Sequence, residues 1–100
     1  MPSEVVHATE TAVAFRDVNP QAPTHVLVVP VDHYANAAEL AHHAPSCLVD
    51  LVSAAASVAE KEGLGGEYRL VFNTGEGAGQ TVFHTHLHLL GGRPMQWPPG

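Results

Sequence analysis

Basic residues are scarce in this chain: four Lys and Arg stand against ten Asp and Glu, a formal charge of −6 over 100 residues. A nucleic-acid backbone is held through Lys and Arg, so this balance argues against nucleic acid as a partner. Cysteine is nearly absent as well. The lone Cys47 rules out an internal disulfide and a cysteine zinc cage, and fits a reducing, cytoplasmic setting. There is no apolar run of the ~18 residues that crossing a membrane requires. Near the start Glu4, His7 and Glu10 interrupt every apolar stretch, unlike a signal peptide. The length suits one domain, residues 1–100 with a Gly- and Pro-rich tail over 91–100, because two independent cores would not fit.

What the chain has in excess is histidine, eight in all, the side chain whose charge changes near neutral pH. Three of them alternate in "HTHLHLL", as His84, His86 and His88. A strand sends alternate side chains to opposite faces. The spacing therefore predicts three imidazoles on one face, with Phe83, Thr85, Leu87 and Leu89 as core on the other.

The rest of the pattern predicts an α+β domain. "SEVVHATETAVAFRD" reads as two strands with a polar turn near Thr9–Thr11, the second strand ending at Asp17. "THVLVVP" is a central strand closed by Pro30. Val31 to Ala44 is irregular. Pro45 suits the first turn of a helix, Leu48, Leu51, Val52, Ala55 and Ala59 follow a helical stripe, and Gly63 ends it. "EYRLVFN" is a fourth strand, "TGEGAG" a tight loop and "TVFHTHLHLL" a fifth strand. Short connections in this order favour an antiparallel five-stranded sheet carrying one main helix.

Three chemistries compete for the histidine strand. As metal ligands the outer pair is far apart: Cα atoms of His84 and His88 on a regular strand are separated by ~13 Å, whereas a zinc–nitrogen bond is ~2.0–2.1 Å. Two of the three could bind an ion together with a ligand from elsewhere, such as His25. A second reading is a set of polar residues on a solvated sheet face. The third is a phosphate site in which neutral imidazole attacks phosphorus and forms a phospho-histidine that water cleaves. The upstream "GEGAGQT" offers glycines whose backbone N–H groups can approach an anion, and the Thr81 hydroxyl. It is not a dinucleotide fingerprint, because a strand and not a helix follows it.

"QTVFHTHLHLLGGRPMQWPPG" and "AFRDVNPQAPTHVLVVP" resemble the histidine triad (HIT) superfamily, in particular its Hint branch of nucleotide-binding proteins and purine nucleoside phosphoramidases. The resemblance implies a HIT-like sheet with one main helix, and a cofactor-free, metal-independent hydrolase that acts on a purine nucleotide or nucleoside phosphoramidate. It implies that His86 is the nucleophile and His88 a phosphate contact, with His84 and His25 completing a buried network that orients His86. It further implies phosphate contacts from Gly79, Gln80 and Thr81 and a nucleotide contact from Asn73. Phe15 and Val18 would touch the base, and Asp17 the ribose hydroxyls. Trp97, in a tail ending typical of the branch, would reach a partner subunit in a homodimer; alone it would read as an anchor for its own tail. His7, His33, His42 and His43 carry no motif and read as surface or loop residues, and Cys47 as a small core residue. "MPSEVV" corresponds to the region just after a family helix that walls the base, so that helix is expected to be absent. Two other functions share these residues. One is a slow nucleotide-binding module acting through protein partners, the other a metal-dependent hydrolase.

Overall fold

A computed structural model describes residues 4–100. Ser3, where the first strand was expected to begin, lies outside the described residues. Five strands form one antiparallel sheet: β1 Val5–Ala8, β2 Ala12–Arg16, β3 Thr24–Pro30, β4 Tyr68–Val71 and β5 Leu87–Gly91. Their order across the sheet is β1-β2-β3-β5-β4, so β3 is central, β5 lies beside it and β4 forms an edge. Two helices intervene, α1 Ala37–His43 and α2 Pro45–Lys61. The expected α+β architecture is present. Among the described residues no helix is long and apolar enough to cross a membrane.

The sheet has two unlike faces, and the alternation of its strands explains why. Ala12, Ala14, Val26, Val28, Leu87 and Leu89 are buried and meet Leu51, Ala54, Ala55, Val58 and Ala59 of α2. Val52, expected on that stripe, is 42% exposed. It lies one residue, about 100°, round the helix from Leu51, at the margin of the buried arc. Phe15, Leu27 and His88 form a cross-strand row on the opposite face, which no helix covers among the described residues. The site belongs to that face.

α1 was not expected, because Leu40 is its sole buried residue and a single apolar contact leaves no stripe to read. Its start is capped: the Asn36 side chain accepts from the Glu39 N–H at 2.9 Å. Polar contacts tie α2 to the sheet. Arg16 donates to both carboxylate oxygens of Glu62 at 2.9 Å each, joining the end of β2 to the cap of α2. Cys47 packs against the core, and burial pushes its thiol pKa up, which keeps it protonated and unreactive.

Candidate active site

The first correction concerns the histidine strand itself. β5 begins at Leu87, so His84 and His86 precede it in an irregular segment, and Phe83 is exposed instead of core. The β3–β5 register ends at Val28 opposite Leu87; continued, it would pair Val29 with His86 and then Pro30 with Thr85. Pro30 has no N–H to continue the ladder. Its carbonyl instead faces His84 Nε2 at 3.0 Å. Thr85 is buried and turns to another partner: its backbone N–H and its hydroxyl both donate to the Tyr34 carbonyl, at 2.7 and 2.8 Å. This double anchor sets the path of residues 84–86.

Two hydrogen-bonded histidine pairs result, with His86 between them. His84 Nδ1 lies 3.0 Å from His33 Nδ1. Because His84 Nε2 donates to the Pro30 carbonyl, neutral His84 accepts at Nδ1 and His33 is the donor. His33, with no motif to mark it in the sequence, is therefore part of the site's frame. His84 does not join His25. It contributes instead through its carbonyl, which accepts from His86 Nδ1 at 2.9 Å. That bond assigns the His86 proton to Nδ1 and leaves the Nε2 lone pair free.

The second pair is His25 and His88, with Nε2 to Nδ1 at 3.0 Å. The Gln21 N–H donates to His25 Nδ1 at 3.0 Å, so neutral His25 carries its proton on Nε2 and gives that hydrogen bond to His88 Nδ1. Neutral His88 then carries its own proton on Nε2, a buried atom without a partner among the described residues. A buried donor left in that state costs about 1–3 kcal/mol. The His88 ring stands edge-on to His86, centroids 5.0 Å apart. Burial lowers the pKa of His88 below the usual His range; His86 and His25 lower it further, and Asp17 opposes them. Burial likewise lowers His25, again against Asp17. Both rings are neutral at neutral pH.

Asp17, His25 and His88 bring one ligand atom each within 4.8 Å of one another, the spacing of a possible metal site. The hydrogen-bond polarity sets its cost. His25 Nε2 would have to surrender its proton to Nδ1, which already faces the Gln21 N–H, so a metal there would displace that bond.

Beside the histidines runs an apolar groove of about 390 Å³ lined by Phe15, Leu27, Val29, Val82, His84 and His86. Phe15 is thus at the groove, whereas Val18 is 72% exposed and does not line it. Asp17 sits at the His25 end, its backbone N–H bonded to the His25 carbonyl at 2.9 Å. The glycine loop departs from expectation. The N–H groups of Gly75, Ala78, Gly79 and Gln80 are all spent within the loop, on Gln80 Oε1, Gly75 O, Glu76 O and Gly75 O. Gln80 is 2% exposed, and its amide donates to the carbonyls of Ala35 and Val82 at 2.6 and 3.1 Å. Its side chain is a brace for the loop. Gly79 has φ +96° and lies against the Asn73 side chain, which brings these two expected residues together, and Thr81 is exposed beside them. Trp97 is 82% exposed, so it does not anchor the tail to its own domain; Arg69 holds the tail by donating to the Gln96 carbonyl at 2.8 Å.

Comparison with known proteins places this arrangement. The HIT domain matches residues 1–95. The chain is 41% identical over 96 residues to the purine nucleoside phosphoramidase of Escherichia coli K12, covering 95% of this chain and 81% of that one. It is 47% identical over 102 residues to the 14 kDa zinc-binding protein of Zea mays, covering 100% and 80%. The crystal structure of a HIT family hydrolase from Legionella pneumophila superposes with a TM-score of 0.94 at 46% identity, covering 100% of this chain and 90% of that one. With a histidine cluster at the centre of a matching sheet, and a family match over nearly its whole length, the chain belongs to the histidine triad (HIT) family.

Proposed function

We propose that this protein hydrolyses nucleoside phosphoramidates, or related nucleotide conjugates, to the nucleoside 5′-monophosphate through a covalent nucleotidyl-His86 intermediate. One observation carries the reading: the 2.9 Å bond from His86 Nδ1 to the His84 carbonyl presents a neutral imidazole with an open Nε2 beside the apolar groove. Nε2 attacks phosphorus and the phosphorus–nitrogen bond of the substrate breaks. The orphaned His88 Nε2–H is satisfied by a phosphoryl oxygen or the departing amine. A bound phosphate anion favours the imidazolium form of the His25–His88 pair, which gives its proton to the amine. Water then displaces His86 from phosphorus, and its proton returns to the pair.

The groove takes the base against Phe15, and the Asp17 carboxylate, an acceptor of hydrogen bonds, takes the ribose hydroxyls. At the phosphate end the exposed Thr81 hydroxyl is the available donor, beside the Asn73 side chain that packs on Gly79. The activity of the Escherichia coli relative supports this substrate class. Metal plays no part in the proposed route, since imidazole is already a competent nucleophile; the zinc-binding name of the maize relative makes a metal-dependent route the alternative to test. The working form is a cytoplasmic homodimer. β4 lies at the sheet edge, Val49 and Val52 are exposed on α2, and Trp97 projects from its own domain.

Phosphorus NMR of an AMP–lysine phosphoramidate tests the reading. Conversion to AMP that survives a chelator and disappears in His86→Ala supports it. Binding without conversion makes the protein a nucleotide-binding module, and conversion abolished by the chelator makes it a metal-dependent hydrolase. Sedimentation at micromolar concentration checks assembly, where a fully active monomer removes the dimer and the role of Trp97.

A further inference from the structure

Asp17 is held more firmly than a sugar ligand at a strand end needs to be. Its backbone N–H is bonded to the His25 carbonyl at 2.9 Å, and its Oδ1 accepts from the Asn19 N–H at 2.8 Å. These two bonds aim Oδ2 at His25 Nε2, 3.5 Å away, and within 4.8 Å of His88. His25 Nε2 spends its hydrogen on His88, so Asp17 Oδ2 receives no full hydrogen bond from it. What it supplies is charge. The His25 side chain is 5% exposed and that of Asp17 18%, so water screens their interaction little.

We propose that Asp17 couples the sugar end of the groove to its reaction end: its carboxylate is the counter-charge of the His25–His88 pair, and a ribose that donates to it withdraws that charge from the pair. The coupling deepens the reading of Asp17 as a ribose ligand and rests on it. The groups acting on His88 are few. His86 precedes it on the same segment, His25 faces it from β3 and Asp17 from the end of β2, while its β4 neighbour Val71 is apolar. Of these, Asp17 alone favours the imidazolium form. With the sugar site empty, the carboxylate draws the pair toward its imidazolium form without making that the main form at neutral pH. With hydroxyl donors engaging its oxygens that pull weakens, and a proton the pair has taken up beside the substrate phosphate passes more readily to the leaving group. Asp17 is a positioning residue for charge, acting through His25 and His88.

Imidazole titration by NMR tests this without any turnover. In the free protein, Asp17→Asn removes the negative charge, so His25 and His88 titrate at lower pH than in the wild type. His33 and His84, outside the cluster, keep their titration and report an intact fold. Curves for His25 and His88 that superimpose on the wild type overturn the coupling. If Asp17→Asn does not fold, the wild type saturated with AMP or with 2′,3′-dideoxy-AMP decides it. Both ligands bring the same phosphate, but AMP alone brings hydroxyls to Asp17, and the pair titrates lower with AMP. Equal midpoints overturn the transmission. Failure of AMP to perturb any groove resonance overturns the nucleotide reading and, with it, transmission from the sugar site; where Asp17→Asn folds, its ligand-free titration separately judges the charge coupling.

Discussion

The ring of His86 is held by the backbone of His84, two residues earlier, through a 2.9 Å bond from Nδ1 to the carbonyl oxygen. The tautomer of His86 is thus set by main chain, not by a carboxylate. That main chain is in turn set by Thr85, which grips the Tyr34 carbonyl twice. The reactivity assigned to His86 therefore depends on how residues 84–86 are anchored.

Replacing His86 separates binding from chemistry. His86→Ala keeps nucleotide affinity within a few fold and lowers turnover by at least about a hundredfold, because no neighbouring group is placed to form the bond to phosphorus. Calorimetry of AMP and a steady-state rate check both halves. A rate within about tenfold of the wild type removes His86 from that role.

The anchor has its own signature. Thr85→Val keeps the shape of a fully buried side chain and removes one of two donors to Tyr34 O. The expected cost is about 1 kcal/mol of stability. A fall in kcat larger than any rise in KM is also expected, since the segment carrying His86 loses a restraint. Denaturant unfolding and steady-state kinetics measure the two effects.

Gln80 provides a sharper test of the loop. Its amide accepts from Gly75 and donates to Ala35 and Val82, and a carboxylate cannot donate. Gln80→Glu places an anion against two carbonyls in a buried position, so a loss of about 2 kcal/mol or more is expected. A stability equal to the wild type by thermal melting contradicts the bracing role.

Acid stability follows from the buried imidazoles. The pKa values of His25 and His88 lie below the ordinary 6.5 in the fold. Between those lowered values and 6.5 the unfolded chain binds more protons, so stability rises with pH through that window. The stabilisation is complete above the ordinary His range and is lost as the pH falls below it. Glu62, lowered chiefly by its hydrogen bond to Arg16, adds a loss at lower pH, in the carboxylate range. Melting temperature therefore drops from about pH 8 to about pH 5, and His88→Asn flattens that drop. Turnover follows a bell-shaped profile whose limbs belong to the coupled histidines together; a rate climbing steadily to high pH contradicts the neutral nucleophile.

Much of this architecture is legible in local pattern. Alternation in "THVLVVP" and the stripe from Leu48 to Ala59 between Pro45 and Gly63 mark β3 and α2, because burying one face of a strand or helix imposes a period on the residues themselves. The same alternation points to a histidine-bearing face opposite the core. A seven-residue helix with one buried leucine imposes no such period, although Asn36 and Glu39 spell a capping signal at its start.

What periodicity could not decide is where the ladder stops and whom each imidazole meets. The sequence by itself determined that His84, His86 and His88 stand near one another, and that residues of this type can attack phosphorus. Tertiary structure decided that the β3–β5 pairing stops at Val28 and Leu87, short of Pro30, which lacks an N–H to extend it. It also decided that His84 turns to His33, 51 positions away, and that His88 turns to His25 across 63. It drew Gln80 inward, because the loop's carbonyls and N–H groups needed a buried partner. Hydrogen bonds between residues so far apart in the chain leave no period behind them, and they come into being when the strands assemble.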